Sequence, residues 1–264
     1  MIHQERDLAL EVAPILKKAG ALVLSYFHKN LTRTEKFDHG ASSGFVTEAD
    51  LASEQYLIEQ LRGVIPEAHV FAEESGNVGE KSDYCWVIDP LDGTTNFAHG
   101  LPYFCISVGL TCKDKPVFGM IYQPLTDELF YATVGKGAFV NGVRLATSQE
   151  ALNKSVIAIG LPYAKNTAYA HLLEKAPFIA RQVYAIRHFG AVALDIAYVA
   201  SGRLEGVVFE DLGWWDVAAG IVLVHEAGGF SSDFEGIEVG PAYRSFLAAG
   251  NPEVYKKLFL LLKP

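Results

Sequence analysis

The chain has 264 residues, half of them hydrophobic and 20% charged, the make-up of a soluble globular protein with a sizeable core. Its 31 Asp and Glu outnumber 22 Lys and Arg for a net charge of −9, which argues against a nucleic-acid or anionic-membrane surface. An anionic substrate would need its counter-charge from added cations.

In chain order, the opening MIHQERDLALEV lacks the apolar core of a secretory leader, and residues 5–28 carry a helical stripe of Leu8, Val12, Ile15, Leu16, Ala19, Leu22 and Val23. Residues 36–45, KFDHGASSGF, read as a polar loop. A second helix is predicted from Thr47 to Arg62, with Thr47 as N-cap and Asp50 completing a capping-box-like pair. Short β-type runs follow at His69–Ala72, Tyr84–Asp89, Phe104–Thr111, Val117–Tyr122 and Leu129–Thr133, the later ones spaced like an antiparallel meander. Beyond residue 150, strands at Ser155–Gly160, Gln182–Ile186, Gly206–Phe209 and Ser245–Ala249 accompany helices near 166–181, 190–202, 215–227 and 252–262. No linker, repeat or membrane-length apolar run interrupts them. The reading is one α/β (α+β) domain over 1–264, with sub-domains of about 1–150 and 151–264. Cys85, Cys105 and Cys112 are odd in number without C-x-x-C spacing, so they read as buried thiols of a reducing, cytoplasmic compartment.

Four acidic motifs lie at the ends of apolar runs. In WVIDPLDGTTNF, Asp89 and Asp92 flank a proline that restricts the backbone, and the N–H groups of Gly93, Thr94 and Thr95 are available to an anion. Such a pair beside an anion cradle calls for a hard divalent cation such as Mg²⁺, although a solvated polar turn has the same spelling. Glu73 and Glu74 end the strand FAEESG. Asp216 follows GWW at the mouth of an apolar helix, where it also suits a first-turn role. Asp50, in FVTEAD, already has a capping role.

Taken together, FVTEAD, AEESG, DPLDGTTNF and WWDVAAGIVLVHEAGG resemble the inositol monophosphatase family in order and spacing, from about residue 5 to 260. The resemblance implies an αβαβα layered sandwich, usually a homodimer, and a lithium-sensitive phosphatase using two or three Mg²⁺. By position it implies Glu73, Asp89, Asp92, Asp216 and the Leu91 carbonyl as metal ligands, with Glu73, Asp50 and Thr94 as the catalytic set. Asp50 and Thr94 would activate the attacking water. The Gly93 and Thr94 amides would cradle phosphate, and Asp92, Gly190, Ala191, Glu210 and Asp216 would contact substrate.

The implied reaction is hydrolysis of a small polyol or sugar phosphate, myo-inositol 1-phosphate by default, by direct attack of a metal-activated water. Fructose 1,6-bisphosphate and histidinol phosphate are rival substrates, and a phosphoadenosine phosphate is disfavoured by Thr-Thr-Asn-Phe after Asp-Gly. A regulatory interaction protein with secondary phosphatase activity is the rival of another class. Val192 is bulkier than the alanine expected after Gly190-Ala191, and Lys36 loosely matches a position near a third metal. Gly40-Ala41-Ser42-Ser43-Gly44 spells G-x-S-x-G without the strand and helix a nucleophile elbow needs. His99, His188 and His225 lack metal-ligand spacing.

Overall fold

The computed structural model describes residues 6–38, 41–163 and 165–263. Helix α1 (Leu8–Tyr26) buries Leu8, Val12, Leu16, Ala19 and Val23, the stripe seen in the sequence. The segment read as a loop is instead an antiparallel hairpin, β1 (Thr34–Asp38) and β2 (Ala41–Val46). It carries few apolar residues, so alternation gives no strand signal there, and its two strands are joined by an antiparallel backbone ladder. Gly40 lies outside the described residues, and Ala41–Gly44 is strand, which leaves no nucleophile elbow. Helix α2 (Glu48–Val64) starts at Thr47 with the predicted capping box.

Strands β3 (His69–Ala72), β4 (Gly76–Val78), β5 (Tyr84–Asp92), β6 (Cys105–Cys112), β7 (Lys115–Gln123), β8 (Glu128–Thr133), β9 (Gly137–Val140) and β10 (Val143–Arg144) form one sheet, with the short helix α3 (Thr94–Ala98) between β5 and β6. Its order is β10-β9-β8-β7-β6-β5-β3-β4, an antiparallel meander from β5 to β10 with β3 parallel to β5. A second sheet of β11 (Val156–Gly160), β12 (Ala185–Arg187), β13 (Gly206–Glu210), β14 (Phe230–Ser232) and β15 (Ser245–Ala249) has the order β12-β11-β13-β15-β14. The remaining helices are α4 (Thr167–Ala180), α5 (Val192–Ala200), α6 (Trp214–Glu226) and α7 (Pro252–Leu262).

Two-residue periodicity sorts these elements into layers. On β5, Trp86 and Ile88 pack with α1 and α2, whereas Cys85 and Val87 face α5 and α6. On β13, Val207 and Phe209 face α5 and α6, while Val208 packs outward with Leu172, Val254 and Leu258 of α4 and α7. The result is an αβαβα sandwich with α5 and α6 between the sheets. Glycine lets α6 seat closely on the larger sheet: a Cβ on Gly119 would meet the Ala219 carbonyl oxygen at 2.2 Å. Cys85 and Cys105 are buried and Cys112 partly so, all as free thiols. No described helix is long and apolar enough to cross a membrane.

Candidate active site

The site forms where β5 leaves its ladder. Asp89 pairs with Ser107 and Asp92 with Cys105, three steps on β5 against two on β6. The extra residue is a β-bulge around Pro90, whose missing N–H would break a regular ladder. In an unbroken strand residues three apart point to opposite faces. The bulge removes that alternation, and Asp89 and Asp92 offer carboxylate oxygens that lie, together with one of Asp216, within 4.8 Å of one another. The strand thus runs three residues beyond the boundary expected from sequence, and what reads as a turn is a bulged strand end.

Each carboxylate is held by backbone. Asp89 Oδ1 accepts from the Leu91 amide at 3.0 Å. Asp92 accepts from the first amides of α5: Val192 at 3.0 Å on Oδ1, with Ala193 at 2.8 Å and Leu194 at 3.3 Å on Oδ2. The Cys105 thiol adds a contact at 3.4 Å. Asp216 accepts from the Gly213 amide at 2.7 Å, a first-turn bond of α6, so its capping role and its place in the cluster coincide. The Trp215 ring, in the first turn of α6, packs at a tilt against Phe71 with centroids 5.3 Å apart.

Gathering these acids raises their pKa values. Burial, then the charges of Glu73, Asp92 and Asp216, pushes Asp89 well above the usual carboxylate range. Burial followed by Asp92 and Glu73 does the same to Asp216. Asp92 is raised by burial only to about 6, because the Cys105 thiol and the α5 amides favour its ionised form. Glu73 ends β3 against Asp89, its amide bonded to the Ile88 carbonyl at 3.1 Å. Its carboxylate is engaged by the Lys36 ammonium at 2.8 Å, and Lys36 also bonds Glu74. Burial pushes Glu74 up to about 7, with Glu73 adding to the rise and Lys36 opposing it. Burial works against the Lys36 charge, but the two glutamates hold its pKa above normal.

Helix α2 supplies the other side. Asp50 is fully buried, and its two oxygens have separate tasks: Oδ2 accepts from the Thr47 amide at 2.9 Å, and Oδ1 lies 2.8 Å from the Thr94 hydroxyl. That hydroxyl is also 2.9 Å from the Leu91 carbonyl. Burial raises the Asp50 pKa, and its bonds from Thr47 and Thr94 oppose the rise. Two residues on the same helix face went unread in the sequence. Ser53 bonds the Pro90 carbonyl at 2.8 Å, and Glu54 accepts from the Glu74 amide at 2.8 Å and from the Ser75 hydroxyl. Their positions three and four beyond Asp50 are the signal that marks them.

Gly93 opens α3 at φ +89°, and a Cβ there would meet the Tyr103 carbonyl at 3.0 Å and Ala191 at 3.1 Å. Only glycine fits both the angle and the space. The amides of Thr94 and Thr95, at the helix start, have no partner inside it. Asn96 bonds the Tyr103 carbonyl at 2.8 Å and the Phe189 carbonyl at 2.7 Å, which brings Gly190 and Ala191 against Gly93. Gly93, Thr94, Thr95, Gly190 and Ala191 line one cavity of about 760 Å³ together with Lys36, Glu73, Asp89, Leu91, Asp92 and Asp216, and Asp50 connects to it through the Thr94 hydroxyl. Glu210 stands on its far wall, apart from the carboxylate cluster, with the His171 ring 2.7 Å away. His171 was not singled out in the sequence, because nothing local ties a helix histidine to a strand end 39 residues on. His188 also lines the cavity and contacts the Ile159 carbonyl, while His99 and His225 contact Arg33 and Ser231.

The donors offered by Glu73, Asp89, Asp92, Asp216 and the Leu91 carbonyl are all hard oxygens. Three of them are packed as like charges near one ammonium, and this set fits small divalent cations. A model of the inositol monophosphatase family matches residues 5–262. Nus factor SuhB of Escherichia coli K12 is 38% identical over 264 residues, covering 97% of this chain and 95% of that protein. Inositol-1-monophosphatase of Rhizobium meliloti is 38% identical over 216 residues, 81% of each chain. The crystal structure of the extragenic suppressor protein suhB from Bartonella henselae has a TM-score of 0.90 at 37% identity, covering 98% of this chain and 99% of that one.

Proposed function

The chain belongs to the inositol monophosphatase family, and from that premise we propose that it is a Mg²⁺-dependent phosphomonoesterase acting on a small polyol or sugar phosphate, myo-inositol 1-phosphate first. The observation that carries the reading is the Asp50–Thr94 pair at 2.8 Å, whose Thr94 member lines the same cavity as Asp89, Asp92 and Asp216.

Glu73, Asp89, Asp92, Asp216 and the Leu91 carbonyl would hold Mg²⁺, in two or three sites. When bound, the metal would supply positive charge beyond that of Lys36 and Arg244 and lower the pKa of coordinated water. Asp50 is an acceptor for the Thr94 hydroxyl, which leaves the Thr94 oxygen lone pairs to accept a hydrogen bond from the attacking water. That orders the chain water to Thr94 to Asp50 and draws proton density away from the nucleophile. The Gly93 and Thr94 amides bind phosphoryl oxygens and orient the ester. Glu210 accepts from substrate hydroxyls, with Gly190 and Ala191 forming the adjoining backbone wall. Water held near Asp216 protonates the leaving alkoxide, and because water itself is the nucleophile no covalent phospho-enzyme is needed.

Phosphate release from inositol 1-phosphate, fructose 1,6-bisphosphate, histidinol phosphate and phosphoadenosine phosphate, with and without Mg²⁺ and Li⁺, tests this reading. Mg²⁺-dependent, Li⁺-inhibited release that is fastest from the inositol ester is expected, and no release from any of them defeats it. The relatives named Nus factor favour a second, regulatory role beside catalysis. That role predicts that an inactive Asp89→Asn chain still restores growth to a host lacking its own copy.

A further inference from the structure

The wall that faces the substrate's non-reacting end is the end of β13, Glu210 and Asp211, and it is gripped from behind by α4. Asn166, the N-cap of α4, accepts from the Tyr169 amide at 3.1 Å and donates through Nδ2 to Asp211 at 2.9 Å. Asp211 is held at φ +64°, a left-handed conformation that a non-glycine residue keeps only when its surroundings impose it. The direction in which Glu210 leaves the strand is therefore tied to the start of α4. One turn further along α4, His171 lies 2.7 Å from Glu210 Oε2 through Nδ1, with Phe234 packed beside its ring at 5.9 Å. A carboxylate oxygen accepts, so Nδ1 carries the hydrogen of this pair.

Resting on the phosphatase reading above, we propose that His171 is a positioning residue that makes the site selective for esters of polyols. It ties down Glu210 Oε2 and leaves Oε1, which has no other partner among the described residues, to accept from a substrate hydroxyl in the cavity that Glu210 lines. His171 is not among the cavity-lining residues and so acts only through Glu210. Without it a half-exposed glutamate would spread over several rotamers, and the substrate would bear the cost of ordering it. A partly exposed pair of this kind contributes little to folding. Its effect is thus expected in substrate choice, not in stability.

The test compares two phosphate monoesters with Mg²⁺ present: myo-inositol 1-phosphate, and phenyl phosphate, which has no hydroxyls for Glu210. His171→Ala is expected to raise KM for the inositol ester about three- to tenfold, the range of one hydrogen bond, with kcat kept within about twofold. KM for phenyl phosphate stays within about twofold of wild type. His171→Asn places an amide N–H where Nδ1 stood, and recovers most of the inositol KM. Equal KM changes on both esters, no change on either, or failure of Asn to rescue overturns the proposal while the phosphatase reading stands. Wild-type protein that cleaves neither ester overturns both. A thermal melt of each variant close to wild type is expected, and a large loss would mean His171 is structural instead.

Discussion

The two ends of the cavity are built differently. At the phosphate end, the four aspartates are pinned by backbone amides: Leu91 on Asp89, Val192 to Leu194 on Asp92, Gly213 on Asp216 and Thr47 on Asp50, while Glu73 is the exception, held by the Lys36 side chain. At the far end, Glu210 and Asp211 are more open and are held by the side chains His171 and Asn166. Backbone anchors do not change when a side chain is substituted, whereas side-chain anchors do. One end therefore keeps its chemistry fixed, and the other can alter which alcohol it accepts without disturbing the reaction.

The largest expected effect is at the fixed end. Asp89→Asn keeps the acceptor for the Leu91 amide but removes a charge from the cluster. We expect kcat/KM to fall by about 10³-fold or more, with the Mg²⁺-induced rise in Tm lost. Because that charge is buried among like charges, the metal-free variant should melt a few degrees above metal-free wild type. Unchanged turnover would remove Asp89 from the site.

Next in size is Thr94→Ala, which breaks the link between water and Asp50. A fall in kcat of about 10²- to 10³-fold is expected, with the Mg²⁺-induced Tm shift retained. Loss of that shift would make Thr94 part of metal binding instead.

Metal removal gives an effect of opposite sense to the usual acid denaturation. The folded pKa values of Asp92, about 6, and Glu74, about 7, lie above unfolded values near 4. The folded chain then binds more protons than the unfolded one, so stability falls as pH rises. In EDTA, Tm should decline between about pH 4 and pH 7, and Mg²⁺ should flatten that decline. A Tm that climbs through this window in EDTA would contradict the raised values.

The smallest effect is expected at a side chain whose backbone belongs to the fixed end. Val192 reaches Asp92 through its amide, which Val192→Ala preserves, while its side chain lines the cavity. Trimming it should lower KM for the bulkier esters by about two- to threefold, well below the roughly tenfold of a fully enclosed methylene, with kcat constant. Steady-state kinetics over the same panel would detect either this change or its absence.

Much of this was legible from the chain. The stripe on α1, the Thr47 capping box and the turn-separated runs of the later strands each follow from local spacing. DPLDGTTNF, FVTEAD, AEESG and WWDVAAG marked the acids by family resemblance. The β1–β2 hairpin was not legible, because its polar residues carry no alternation. Ser53 and Glu54 were readable in principle from helix spacing, but only their partners on β5 and after β3 give them meaning. The pairing of His171 with Glu210 had no local signal at all.

By itself, the sequence determined which residues are acidic, where the long helices and the longer strands fall, and that a proline separates Asp89 from Asp92 and a glycine follows them. Only the tertiary structure decided that the Pro90 bulge turns both aspartates to one side, that α5 supplies three amides to Asp92 from 100 residues away, and that α4 aims Glu210. The physical reason is range. Periodicity and capping are set by neighbours within a turn or a strand, whereas a buried charge is stabilised by whatever donors the packed layers bring to it.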